Sequence, residues 1–202
     1  MRRPRSAFQQ QLPRRLRRHE KRHPEAGVEL WAMDEHRVGL QPILRAVWAR
    51  TGFRPRAQMR IGYKWLYVAG FVHPESGRTS LWLLSDVGTE VFSRLLQAFA
   101  EEQGVGPKKH VLLVLDQAGW HTSPKVRPPE GLSLVFLPPY SPELQPAEHL
   151  WPAVDEPLAN RAFGSLAELE RVLEDRCVRL GDVPEFVRGL TRFHWWPRER
   201  PK

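Results

Sequence analysis

HVLLVLDQAGWH, residues 110–121, decides the fold of this chain. His110–Leu115 reads as a short, continuous apolar run, the pattern of a central strand buried on both faces. Asp116 closes it, which places a carboxylate at the end of a buried strand. On the N-terminal side, Val91, Leu95, Leu96 and Phe99 recur at helical spacing and predict a helix over 89–103, ended by Gly104. Before it, WLYVAGFV (65–72) and TSLWLL (79–84) read as two strands joined by the turn His73–Arg78, with Pro74 and Gly77. VELWAM (28–33) predicts a further strand, which ends at Asp34.

On the C-terminal side, LSLVFL (132–137) predicts a strand and runs into the proline-rich LPPYSPELQP (137–146). Pro146 suits the first position of a helix, which Pro152 and Pro157 keep short or broken. Ser165 and Glu168 make a capping-box pattern. The apolar stripe Leu166, Leu169, Val172, Leu173, Cys177, Leu180 follows and stops at Gly181. The order is three strands, a helix, two strands, then helices. It predicts an α/β fold with a mixed sheet and helices on its faces. There is no internal repeat.

With 202 residues and 41% hydrophobic content, the chain can build one good-sized core. Cys177 is the single cysteine, so no intrachain disulfide forms; its place on an apolar stripe reads as a buried structural thiol. No apolar run approaches the length of a membrane span, and the N-terminus lacks a signal-like apolar region. We therefore expect a cytoplasmic protein with no membrane partner.

The net charge of +8 is concentrated in residues 1–23, where nine Lys/Arg face Glu20 alone. A second basic stretch follows: Arg37, Arg45, Arg50, Arg54, Arg56, Arg60 and Lys64 lie between His36 and Pro74, with no acid among them. Residues 141–185 are acidic in balance. A basic arm plus a basic stretch beside an acid-tipped strand points to a polyanion, nucleic acid by default. The plainer reading is a solvated tail and an ordinary charged surface. Phe8, Leu12 and Leu16 have helical spacing in the arm, but Pro13 argues against a continuous helix.

Asp34, Asp116 and Glu148 each stand where one kind of local structure gives way to another. If they meet, they repel: two unit charges about 4 Å apart cost roughly 4 kcal/mol at an effective dielectric near 20. Protons or divalent cations must then neutralise them, and carboxylates holding Mg²⁺ are a standard device for phosphodiester chemistry. Taken singly, each acid has an ordinary reading. Asp34 fits a solvated strand end, and Glu35 competes for its role because alternation lets only one of the pair face a site. Asp116 fits a turn cap and Glu148 a helix N-terminus.

LDQAGWH (115–121) followed by PPYSPELQPAEHLW (138–151) resembles the catalytic core of DDE transposases, in the bacterial insertion-sequence branch of the mariner superfamily. MDEHRVGLQPILRAVWARTGFRP (33–55) and DEPLANRAF (155–163) are similar too, so the resemblance covers roughly 28–180. It implies an RNase H-like fold, a five-stranded mixed sheet flanked by helices. It also implies that Asp34, Asp116 and Glu148 are the catalytic and metal-binding triad, with two Mg²⁺ (or Mn²⁺) ions. By analogy Asp34 bridges the ions, while Asp116 and Glu148 hold one each. The implied reactions are cleavage at the element's ends and attack of the freed 3′-hydroxyl on target DNA.

Arg37, Arg45, Arg54, Lys64, His121 and Lys125 are the candidate DNA contacts. Trp48 reads either as a base-stacking platform or as core. Cys177 is too isolated for a zinc site, and His19, His23 and His36 lack metal-finger spacing. We expect a basic arm at 1–27, a catalytic domain at 28–185 and an aromatic, basic tail at 186–202. About 27 residues before the first strand are too few for the helix-turn-helix domains usual in this family. The expected partners are therefore DNA, a helix-turn-helix protein encoded upstream and further copies of this chain on DNA. The alternative is a truncated relic that binds DNA without mobilising it.

Overall fold

The computed structural model describes residues 4–57 and 62–199; Arg2, Arg3 and Arg60 of the basic segments lie outside these. Five strands form one sheet: β1 (Gly27–Gly39), β2 (Trp65–His73), β3 (Arg78–Leu84), β4 (Lys109–Leu115) and β5 (Leu132–Phe136). Their spatial order is β3-β2-β1-β4-β5. The first three form an antiparallel meander, while β4 runs parallel to both β1 and β5. This is the mixed five-stranded sheet of the RNase H-like fold.

β1 is longer than its apolar stretch. It does not end at Asp34 but continues to Gly39. The reason lies in its partners. Gly27–Ala32 pairs with β4, whereas Ala32–Gly39 pairs with Trp65–Val72 of β2. Beyond Ala32 the flank toward β4 is open, so the strand keeps its ladder bonds while its side chains turn polar. Asp34 therefore sits inside a strand, at the edge of the sheet's buried part.

Alternation divides the core in two. Trp31, Met33, Phe71, Val111, Leu113 and Leu115 face α2 (Thr89–Gln103), meeting Phe92, Leu95, Leu96 and Phe99. Phe99 stacks on Phe71 at 4.2 Å and meets Trp31 edge-on at 5.1 Å. Gly104 ends α2 at φ 65°, a left-handed conformation that glycine adopts without strain. On the other face, Leu30, Ala32, Val68, Val72, Leu112 and Val114 pack against α1 (Pro4–Arg22) and a C-terminal helical group. That group comprises α3 (Trp151–Val154), α4 (Leu166–Gly181) and α5 (Pro184–Thr191). Before α3, 3-10 turns at Pro142–Leu144 and Pro146–Leu150 replace a regular helix, as the prolines predict. Ser165 caps α4 through the Glu168 N–H, and the Glu168 carboxylate reaches back to the Gly164 N–H.

Three expectations change. α1 is continuous through Pro13. An internal proline costs about 3 kcal/mol. Burying Phe8, Leu12 and Leu16 along one face recovers about 1.5–3 kcal/mol each, so packing wins. α5 was not expected, although Pro184 at its first position and Glu185 in its first turn are ordinary start signals. Trp48 is fully exposed, which removes its core reading. Cys177, expected to be buried, is half-buried at the edge of the core, and burial pushes its thiol pKa up to about 11.

Candidate active site

The strand register brings the acids together. Asp34 lies two residues past the last β1–β4 pair, Ala32–Val114, and Asp116 one residue past the end of β4. Both share the parity of Ala32 and Val114, so both are directed to the face that carries the proline-rich turns. Glu148 lies in the second of those turns. All three line one open cleft of about 460 Å³, whose other walls include Gln117, Leu137–Pro142 and Gln145.

The electrostatics are those of like charges held close. Burial, together with the Glu35, Glu148 and Asp116 carboxylates, pushes Asp34 up to about 7. Burial raises Glu148 as well, and Asp116 adds to the effect. Asp116 moves the other way, because a hydrogen bond from His121 and one from the Ala118 N–H stabilise its charge. The protein thus keeps one acid ionised and leaves two short of compensation. That donor set suits hard divalent cations.

Neighbouring side chains hold the acids in place. The Trp151 indole N–H donates to Asp34 Oδ2 at 2.9 Å. Its ring stacks on His36 at 5.1 Å and 13°, and His36 is tied in turn to Asp155 at 2.9 Å. Gly70, opposite Asp34 on β2, leaves room for that ring: a Cβ there would lie 2.8 Å from it. The buried Gln145 amide donates to the Met33 carbonyl at 2.8 Å, fastening the Glu148 turn to β1 one residue before Asp34. Sequence reasoning did not mark Gln145 and Trp151 as holding the acids. Their signal was present in QPAEHLW, but neither residue type announces a positioning role.

Glu35 takes the opposite face, as alternation requires. It meets His121, whose two ring nitrogens lie 2.9 Å from Glu35 Oε1 and 2.7 Å from Asp116 Oδ1. Burial alone would lower the imidazole pKa, but the two carboxylates outweigh it and push it up to about 9. An imidazolium donates from both nitrogens, so the Trp120 indole N–H at 3.2 Å is assigned to Glu35. The expectation that His121 contacts DNA is corrected here. At 1% exposure it offers no atom to a phosphate, and it acts on Asp116 instead.

The remaining basic candidates do not line this cleft. Arg37 and Lys64 border a second cleft of about 410 Å³ beside His36 and Trp65, and the Arg37 guanidinium lies 5.4 Å over the Trp65 ring. Arg45 is tied down, donating to the Pro152 carbonyl at 2.9 Å and pairing through its backbone with Asn160. Arg54 and Lys125 are exposed on loops. Among the described residues no helix is long and apolar enough to cross a membrane.

Comparison with known proteins agrees with this fold. The uncharacterized protein y4pE/y4sA of Sinorhizobium fredii (strain NBRC 101917 / NGR234) is 40% identical over 100 residues, covering 49% of this chain and 73% of that protein. The Mos1 transposase paired-end complex with left transposon end superposes with a TM-score of 0.56 at 17% identity, over 95% of this chain and 62% of that one. The Mos1 mariner paired end complex with Mn gives 0.56 at 19%, over 91% and 59%. At such identities the likeness shows a shared fold, and the chain spans about three fifths of the Mos1 chains. A family model of the DDE superfamily endonuclease matches residues 29–170, more than half of the chain and a span within which the three cleft acids fall, so the chain belongs to the DDE superfamily endonucleases.

Proposed function

We propose that this protein is the catalytic domain of an insertion-sequence transposase, which cleaves DNA strands at element ends and joins them to target DNA. The observation that carries the reading is the meeting of Asp34, Asp116 and Glu148 in one cleft of a family-matched fold. These three would hold Mg²⁺ or Mn²⁺, two ions per site. When bound, such cations lower the pKa of an attacking water or hydroxyl and stabilise the leaving oxygen.

The chain's own residues prepare that site. Among the described residues, the protein hydrogen bonds to Asp34 fall on Oδ2 and those to Asp116 on Oδ1. The second oxygen of each stays available to a ligand. His121 keeps Asp116 ionised. Asp34 is protonated or ionised near neutrality according to whether a cation compensates it. Arg37 and Lys64, with Arg54 and Lys125, supply cationic contacts for the phosphate backbone, without sequence readout. Element ends, a helix-turn-helix partner that recognises them and a second copy of the chain complete the assembly, which works at the bacterial nucleoid.

The test is nicking of DNA carrying element ends, with Mg²⁺ or Mn²⁺, by the wild type and Asp116→Asn. Metal-dependent cleavage that the substitution abolishes is the expected result. Equal cleavage by both removes Asp116 from the chemistry. Cleavage by neither favours a DNA-binding relic.

A further inference from the structure

Three histidines that the strand-cleavage site does not use meet at the opposite end of β4. His19 lies in the last turn of α1 and His23 just past its end, where the His23 N–H still donates to the His19 carbonyl at 3.1 Å, so the two side chains leave the same side. His110 is the second residue of β4 and faces α1. One ring nitrogen from each lies within 4.8 Å of the other two. His19 Nε2 and His110 Nδ1 are 2.9 Å apart, and the rings are tilted at 36–59° with centroids 4.1–5.1 Å apart.

We propose that His19, His23 and His110 form a binding site for a transition-metal ion of the zinc class, which pins α1 to the sheet. Imidazole nitrogen is a preferred ligand for Zn²⁺, Ni²⁺ and Cu²⁺, and three histidines with one open position make a recurrent zinc arrangement. A plain hydrogen bond between neutral imidazoles accounts for His19 and His110. It leaves His23 unexplained, since its ring rests on His110 with no side-chain hydrogen bond of its own among the described residues.

The surroundings favour unprotonated rings. Burial and the neighbouring imidazoles hold His19 and His110 below the usual histidine range, and Arg22 acts in the same direction on His19. The Arg22 charge opposes a cation. Against it stand the carbonyl end of α1 and the exposed Glu25 and Glu130, whose charges act on His110. At the far end of α1, Arg5 pairs with Glu143 at 2.6 Å and donates to the Tyr140 carbonyl at 2.9 Å. Tyr140 lines the acidic cleft. A metal at one end of the helix thus braces an element whose other end holds the cleft's rim.

The experiment titrates the full chain, stripped of metal and held in excess Mg²⁺, with Zn²⁺ by calorimetry and with Co²⁺ by visible absorption. The wild type is compared with His23→Ala, His110→Ala and Asp116→Asn. One Zn²⁺ per chain is expected, with the Co²⁺ spectrum of a four-coordinate site. His23→Ala weakens binding by more than about tenfold, since even outer partners of metal ligands are worth 10–100-fold. Asp116→Asn leaves it unchanged. His23→Ala keeps the test decisive where His110→Ala disturbs the buried strand, and circular dichroism checks its fold. Absent Zn²⁺ binding in the wild type, binding that survives His23→Ala undiminished, or binding lost in Asp116→Asn each overturns the proposal.

Discussion

The two ends of β4 make opposite use of the same scaffold. His110 near its start and Asp116 just past its end lie on one face, about 20 Å apart at the usual rise of a strand. At the C-terminal end, three carboxylates crowd a cleft, where burial and neighbouring acids raise the proton affinity of Asp34 and Glu148. At the N-terminal end, three imidazoles sit together, and burial holds His19 and His110 below the usual histidine range. The acidic end is stable only with a proton or cation among its members, which makes it responsive to metal and pH. The imidazole end needs no compensation, and a metal there adds a crosslink without relieving a repulsion. Hard oxygen ligands against borderline nitrogen ligands also separate the ions each end selects.

The largest expected difference between the ends is in catalysis. Asp116→Asn should lower DNA nicking by at least about 10²–10³-fold, the scale of losing an electrostatic element aimed at the reacting centre. His23→Ala should leave nicking within a few fold. Loss of nicking in both variants would mean that the two ends act as one site. The next effect runs the other way. Saturating Zn²⁺ at 100 times its dissociation constant should stabilise the fold by about 2.7 kcal/mol, read as a rise in unfolding midpoint. His23→Ala should cut that rise to about half or less at the same Zn²⁺ concentration, and Asp116→Asn should not.

Gly70→Ala tests the packing behind the acidic end. The added methyl meets the rigid Trp151 ring at 2.8 Å, with β2 and α3 both fixed, so overpacking should cost about 1–3 kcal/mol in denaturant unfolding. Moving Trp151 removes its hydrogen bond to Asp34, so nicking should fall as well, while Zn²⁺ affinity at the far end stays the same. An alanine variant as stable as the wild type would show that Trp151 yields freely and does not hold Asp34.

The sequence exposed the acidic end well and the imidazole end not at all, for a physical reason. Strand ends and proline-rich turns are local features, so Asp34, Asp116 and Glu148 could be marked one by one, and the family resemblance joined them. His110 lies 91 residues from His19, and their meeting depends on α1 packing along β4. Pro13 argued against that helix, and only the burial of Phe8, Leu12 and Leu16 restores it. His121 was noticed as a neighbour of the second acid. Its burial between Glu35 and Asp116 required knowing which face each strand residue takes.

An effect that fades with pH separates the two ends most cleanly. In metal-free protein Asp34 titrates near 7, above the ordinary carboxylate value of 3.8. Between those values the folded chain binds more protons than the unfolded one, so this group destabilises the fold progressively as pH rises from about 4 to 7. Above 7 the whole penalty is present, and below about 4 it vanishes. Asp34→Asn removes the charge, and its side-chain oxygen can still accept the Trp151 N–H. The variant should therefore gain stability over the wild type by about 1–3 kcal/mol at pH 8, less than the full shift implies because solvent reaches the cleft. The gain should shrink toward zero by pH 4. Mg²⁺ should shrink it as well, because a cation compensates the wild-type carboxylate and gives the amide much less. Unfolding curves at pH 4, 6 and 8, with and without Mg²⁺, read this directly. A difference independent of both pH and Mg²⁺ would mean that Asp34 carries no frustrated charge, and the contrast between the two ends of β4 would lose its electrostatic basis.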